Sequence, residues 1–244
     1  KLQKAKESGK VAANRIPTWT EPKASVGQAY FKEGNYEEAL QEFDKIVELR
    51  PDIAKGYKFR GDVYTFLGNF EKAEEQYKLA SEKESENAGV LYRKAQLNIL
   101  IGNYTSAKNL LGQCNKHYPE FIESQVLLGR FYHYRFMDSF EKKGKIRNLM
   151  INKSYQMFMK IKEDFPNQPI SKKYLAELYL TVYKMKDEVS KGKWQQILNV
   201  FPEKKRYKLL HRAFHLYSDV KVQNPLDHRA KYGAARCKLA SGNF

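Results

Sequence analysis

Apolar and small positions recur along the chain at helical steps, interrupted at a fixed interval. Tyr57, Gly61 and Tyr64 follow one another at i, i+4, i+7, as do Ala73, Tyr77 and Ala80, so each set lies on one side of a helix. Between them stands Gly68-Asn69-Phe70, and the same Gly-Asn-aromatic triplet occurs at Gly34-Asn35-Tyr36 and Gly102-Asn103-Tyr104, a spacing of 34 residues twice over. Three residues past each aromatic is an alanine (Ala39, Ala73, Ala107), and four further on a large residue (Phe43, Tyr77, Leu111). Seven residues before each glycine stands a small one (Gly27, Gly61, Ala95). Pro17, Pro51 and Pro119 fall on this grid, with Ser85 in the vacant slot.

The pattern predicts helical hairpins. Glycine in the turn supplies a left-handed residue without a Cβ penalty, and proline ends the second helix because its ring blocks the preceding turn. Small residues at Gly61 and Ala73 let the helices approach, and Tyr64 and Tyr77 fill what remains. A lone hairpin cannot cover its apolar face, so neighbours must stack into an all-α solenoid with a hollow side.

Three units, 20–53, 54–87 and 88–121, keep the register. A fourth, 122–167, opens with Leu128, Gly129 and Tyr132, but its closing residues Ser154, Phe158, Ile161 and Pro166 arrive 13 residues late, placing an insertion near 135–150. Either this insertion docks a partner or both helices simply lengthen. A fifth unit, 168–202, has Leu175, Ala176 and Tyr179 on its first helix and Ser190, Trp194, Ile197 and Pro202 on its second. Residues 203–244 hold one helix over 206–222, ended by Pro225, and another that reaches Gly242-Asn243-Phe244; the pairing of helices between 187 and 244 stays open. Residues 1–19 read as a basic leader or as the second helix of a preceding repeat. The start at Lys1 reads as that of a piece of a longer protein.

The residues of units 20–53, 54–87 and 88–121 resemble the tetratricopeptide repeat family, departing from its pattern at Lys23, Arg60, Lys94 and Asn98, where an apolar or aromatic residue is usual. The resemblance implies a right-handed superhelical solenoid whose first helices line the hollow face. On that face it places Phe31, Lys55, Lys58, Phe59, Phe66, Tyr92, Arg93, Gln96, Arg130, His133 and Tyr134, together with Asp62, Thr65 and Leu100. It implies a non-enzymatic scaffold or adaptor that holds a peptide or helix of a partner protein. The alternative is that Phe59, Phe66 and Leu127 pack against neighbouring helices and line nothing. Chaperone-tail binders of the family clamp a terminal carboxylate, but at the corresponding positions Ala24, Gln28, Phe59, Gly89 and Arg93 only Arg93 matches.

Composition narrows the partner. Residues 1–121 carry 19 Lys+Arg against 17 Asp+Glu, and residues 122–244 carry 25 against 11, so nearly all of the net +16 lies in the second half. Such a field favours anionic partners. The expected partner is an acidic, aromatic-rich protein within a larger complex; nucleic acid is the alternative, through a basic patch of Lys142, Lys143, Lys145, Arg147, Lys172, Lys173, Lys204, Lys205 and Arg206.

No stretch approaches the ~20 apolar residues of a membrane span. The two cysteines, Cys114 and Cys237, lack ligand spacing and are expected as free thiols. The compartment is left open, with the cytoplasm favoured. His211 and His215 stand four apart but lack the intervening glutamate of a metalloprotease helix. The pairs Glu37-Glu38, Glu74-Glu75 and Glu163-Asp164 read as solvated surface. No phosphate-binding loop or nucleophile elbow occurs, so no cofactor, metal or catalytic residue is expected.

Overall fold

The computed structural model describes residues 2–16, 18–141, 147–185, 191–202 and 205–242. Among these are thirteen helices and no strand: α1 (Leu2–Arg15), α2 (Thr20–Glu33), α3 (Tyr36–Leu49), α4 (Ala54–Phe66), α5 (Phe70–Lys83), α6 (Ala88–Leu100), α7 (Tyr104–His117), α8 (Ile122–Glu141), α9 (Arg147–Asp164), α10 (Pro169–Met185), α11 (Lys191–Leu198), α12 (Arg206–Gln223) and α13 (His228–Ser241). They form two compact units, residues 1–121 and 122–244.

In the first unit α2 packs on α3, α4 on α5 and α6 on α7, and each hairpin packs on the next through α3 with α4 and α5 with α6. The turns are built as the glycines require. Gly34, Gly68 and Gly102 have φ of 87°, 75° and 81°, the left-handed region. Asn69 Oδ1 then accepts the Lys72 amide at 3.2 Å and Asn103 Oδ1 the Ser106 amide at 3.4 Å, capping α5 and α7. At the other end Arg50 and Tyr118, each followed by proline, leave the helix with φ, ψ of −141°, 75° and −132°, 66°. Glu84, followed by Ser85, does the same at −139°, 86°. The repeat therefore fixes this exit, and proline only reinforces it.

The hairpins are locked by a small residue facing a large one. A Cβ placed on Gly27 would lie 2.5 Å from Phe43, and one on Gly61 2.6 Å from Tyr77. Phe43 and Tyr77 are 2% and 1% exposed. The ring of Phe43 also stacks on Phe59 of the following first helix, with centroids 4.9 Å apart. Each such aromatic is thus held from both sides, by the residue 16 positions before it and the residue 16 after.

α1 occupies the place of a second helix. It packs on α2, and Gly9, which falls on the Phe43 grid position, lies close against Val26. Of the two readings of residues 1–19, the described part is a packed helix.

The second unit uses the same lock despite its insertion. A Cβ on Gly129 would meet Phe158 at 2.7 Å, and Phe158 stacks on Tyr174, again 16 residues on, at 5.4 Å. α8 and α9 have lengthened to 20 and 18 residues, burying Phe136 and Ile151, so of the two readings of the insertion the described residues show extended helices. α10 then packs along α12, not α11. This corrects the sequence reading, which took Trp194 and Ile197 as the partner stripe of α10. Both are buried, but α11 is 8 residues long, whereas α12 carries the full set Ala213, Tyr217 and Val220, with Pro225 in the proline slot. α13 follows in register: Gly233, 16 past Tyr217, abuts its ring, and Gly242 ends the helix at φ 74°.

The positions where the chain departs from its resemblance are held by polar contacts. Arg60 Nε lies 3.2 Å from Asp44, Lys94 Nζ donates to Ser81 Oγ at 3.2 Å, Asn98 Nδ2 donates to the Lys94 carbonyl at 2.8 Å, and Lys23 is 8% exposed.

Gly61→Leu should cost about 1–3 kcal/mol by overpacking Tyr77, while Lys58→Ala should cost well under 1 kcal/mol. Urea unfolding of both variants, compared at equal m, checks this.

Candidate interaction groove

The first helices of the first unit lie side by side. Lys55 of α4 pairs with Glu21 of α2 at 3.1 Å, and Arg93 of α6 pairs with Asp62 of α4 at 3.1 Å. Between them is a groove of about 360 Å³, lined by Phe31, Asp62, Thr65, Phe66, Tyr77, Arg93, Gln96 and Leu100.

Its apolar wall is an aromatic trio. Phe66 sits edge-on to Phe31 at 5.6 Å and lies 5.1 Å from Tyr36, and it is 64% exposed. Leu100 is 59% exposed on the opposite side. Large apolar groups left in water beside a concavity are the usual anchors of an interface.

Its floor is polar and internally hydrogen-bonded. The Tyr77 hydroxyl donates to Asp62 Oδ1 at 2.8 Å, and Thr65 Oγ1, 3.2 Å from that hydroxyl, donates to the Gly61 carbonyl at 2.8 Å. Arg93 Nη1 donates to Gln96 Oε1 at 2.8 Å, and Gln96 Nε2 to the Tyr92 hydroxyl at 3.2 Å. Tyr92 in turn meets Phe121 edge-on at 5.6 Å. Burial pushes the Asp62 carboxyl above its ordinary range, although Arg93, Tyr77 and Lys58 all favour its charge. Burial likewise raises the Tyr77 phenol, with the Asp62 charge adding to it, and lowers the Lys58 ammonium.

Two expectations change here. Phe59, expected on the open face, is 9% exposed and stacked on Phe43, with the Lys58 ammonium 4.8 Å from its ring centroid. It is a core residue, because its position lies 16 past the locking aromatic. Arg93 stands at the same place relative to Tyr77, and there a guanidinium replaces the ring and is tied to Asp62. Tyr77 was read only as a packing residue. The signal for its second role was present in the sequence: a tyrosine where the other units have Phe43 and Leu111 needs a partner for its hydroxyl.

In the second unit Arg130 is exposed, with its guanidinium 5.3 Å from the Tyr174 ring centroid, and Tyr134 is 51% exposed. His133 Nε2 is buried and has no hydrogen-bond partner among the described residues. Burial, helped by the Arg130 charge, brings its pKa down to about 4. Leu127 is buried, 8% exposed.

Of the basic patch, Lys142, Lys143, Lys145 and Lys204 lie outside the described residues. Arg147 begins α9, and Lys205 is exposed at the start of α12. Lys172 and Lys173 pair with Asp219 and Asp227 at 3.9 and 3.1 Å, and Arg206 Nε donates to the Tyr183 carbonyl at 3.3 Å. Cys114 and Cys237 are buried and outside any disulfide, the Cys114 thiol reaching the Ala88 carbonyl at 3.7 Å, and burial raises Cys237 to about 11. Among the described residues no group of three or more His, Cys, Asp or Glu is placed to hold a metal, and no helix is long and apolar enough to cross a membrane.

Tetratricopeptide repeat family models match residues 24–53, 54–82 and 90–120. Residues 24–120 are tetratricopeptide repeats. Solved structures with the same architecture include a chain of the APC/C hetero-tetramer Cut9–Hcn1 (13% identity, TM-score 0.64, 97% of this chain and 39% of that one). The human IFIT1 dimer with m7Gppp-AAAA matches at 16% identity and TM-score 0.63, over 99% of this chain and 52% of that one. TTC0263, a tetratricopeptide repeat protein of Thermus thermophilus, matches at 16% and 0.60, over 91% and 100%. At these identities the likeness is one of fold. This chain spans well under two thirds of the Cut9–Hcn1 and IFIT1 chains. The repeats are those of a protein-interaction scaffold.

Phe59→Ala should cost about 3–5 kcal/mol, as expected for an aromatic removed from a core, and lower the melting temperature accordingly. For His133 the folded pKa lies below the ordinary value of about 6.5, so the unfolded chain takes up the proton first as pH falls. Its contribution is therefore complete above about pH 6.5 and lost progressively towards pH 4, on the order of 3 kcal/mol. Chemical denaturation of the wild type and His133→Phe across that range should show the steeper acid loss in the wild type.

Proposed function

We propose that the first unit captures a peptide or short helix of a partner protein in the groove between α2, α4 and α6. The observation that carries this reading is the exposure of Phe66 and Leu100 on either side of a floor whose polar groups already satisfy one another. Such a floor asks for no particular hydrogen-bonding ligand. Affinity then comes from burying the two apolar walls, and orientation from the Lys55 and Lys58 end of the groove, where a second concavity of about 310 Å³ lies beside Ile53, Glu84 and Asn87. Lys55, already paired with Glu21, and the partly buried Lys58 contribute modestly to affinity, roughly 0–1 kcal/mol each, and more to the rate of encounter. An apolar segment flanked by acidic residues fits both features.

The Asp62–Arg93 pair serves the groove by holding α6 to α4. Asp62 is the more enclosed member, so removing Arg93 alone strips a largely enclosed carboxylate of its partner, which is more disruptive than removing both.

Nucleic-acid binding is the competing reading, and the strong positive charge of residues 122–244 favours it. Against it, Lys172 and Lys173 already have carboxylate partners. The two readings differ in salt response, since release of counterions from phosphates makes affinity fall steeply with salt.

Phe66→Ala combined with Leu100→Ala should weaken partner capture by roughly tenfold or more while leaving the melting temperature within a few degrees. Quantitative affinity capture with the wild type and the double variant measures this. Equal recovery of the same partners by both would refute the groove assignment, and retention abolished by moderate salt would favour phosphate binding instead.

A further inference from the structure

The second unit has a concavity of its own, larger than the groove of the first. It measures about 720 Å³ and is bounded by the end of α10, the first half of α12 and the second half of α13. Register explains its origin. Leu210 stands at the position of Tyr36 and Phe70, where α3 and α5 begin, yet α12 begins at Arg206, one turn earlier. The extra turn stands beside α10 without a Gly-Asn turn to draw the helices together. On α13, Lys238 stands at the register position of Tyr64 on α4 and places a cation at the edge of the concavity.

The same substitutions change the chemistry of the face. Positions occupied by the outward Glu37 and Glu75 on α3 and α5 are His211 and His215 on α12, and the Glu74 position is Phe214. The two imidazoles meet through their Nε2 atoms at 3.0 Å, and the Lys238 ammonium lies 6.0 Å from the Phe214 ring centroid. Leu210, Phe214 and Cys237 form an apolar wall, and Tyr207, 63% exposed, stands at its mouth. None of the lining residues is Asp or Glu, while Arg206, Lys238 and the two histidines are all among them.

We propose that this concavity is a second docking site, taking an acidic peptide segment through one bulky apolar side chain. The apolar wall receives the side chain, and the cations at the rim meet carboxylates on either side of it. Charge complementarity selects the acidic class: the lining is wholly without negative charge, in a half of the chain with 25 Lys+Arg against 11 Asp+Glu. A peptide is favoured over a nucleic acid because the two cations, Arg206 and Lys238, border an apolar hollow. They do not form the continuous track along which a phosphate backbone lies.

The test uses the whole 244-residue chain and a fluorescein-labelled peptide with a Phe-Leu core flanked by glutamates, read by fluorescence anisotropy. Lys238→Glu and Tyr207→Ser, both at exposed positions, should each weaken binding roughly fivefold or more with unchanged circular dichroism. Phe66→Ala, in the first unit, should leave it unchanged, which separates this site from the groove proposed above. A matched peptide with a Ser-Gly core should bind much more weakly. The proposal is overturned if the Phe-Leu probe does not bind, if both second-unit variants bind it as the wild type does, if the Ser-Gly probe binds equally, or if a labelled oligouridylate binds more tightly through the same two residues.

Discussion

The structure depends on one steric arrangement, a large ring at the centre of α3, α5, α9 and α12 wedged against the neighbouring first helices, with Leu111 in the ring's place on α7. On one side the ring needs a residue with almost no side chain, since even a Cβ on Gly27, Gly61 or Gly129 would fall well inside contact distance of Phe43, Tyr77 or Phe158. On the other side it needs something flat to rest on, and Phe59 and Tyr174 supply that for Phe43 and Phe158. Full burial of such a ring stabilises by about 1.5–3 kcal/mol from area alone, and tight packing on both faces adds to it. One wedge therefore fixes the hairpin and its contact with the next, which is how a short repeat specifies an array.

The same wedge shapes the groove. Where the resting residue is Phe59 it joins the core. Where it is Arg93 the interface turns polar, and Asp62 and the Tyr77 hydroxyl close a network in which burial raises the carboxyl and the cation opposes that rise. The floor of the groove is thus a by-product of hairpin packing, and Phe66 and Leu100 remain largely in water, Phe66 covered only where it meets Phe31 and Tyr36.

Much of this was legible in the chain. The 34-residue interval, the left-handed glycines and the packed small residues follow from spacing alone, because each has a steric cause that leaves few substitutes. The division between Phe59 and Phe66 was not legible. Both lie on the same broad face of α4, and what separates them is the ring of Phe43, a residue of the preceding hairpin. The pairing of α10 with α12 was hidden for another reason. α11 carries its own apolar residues, Trp194 and Ile197, so spacing offered two candidates. Only the continuity of Ala213, Tyr217, Val220 and Pro225 with Gly242 distinguishes α12, and that continuity skips an entire helix. The concavity beside Phe214 was likewise invisible, since it arises from one additional turn at the start of α12.

The wedge is tested most directly by a double-mutant cycle between Gly61→Leu and Tyr77→Ala, with unfolding free energies measured for all four chains under one set of conditions. If the ring is what excludes a side chain at residue 61, the leucine should be far less harmful once the ring is gone, giving a coupling of about 1 kcal/mol or more. Additive costs, with coupling indistinguishable from zero, would mean that the glycine is required for some other reason and that the ring does not set the spacing of the helices.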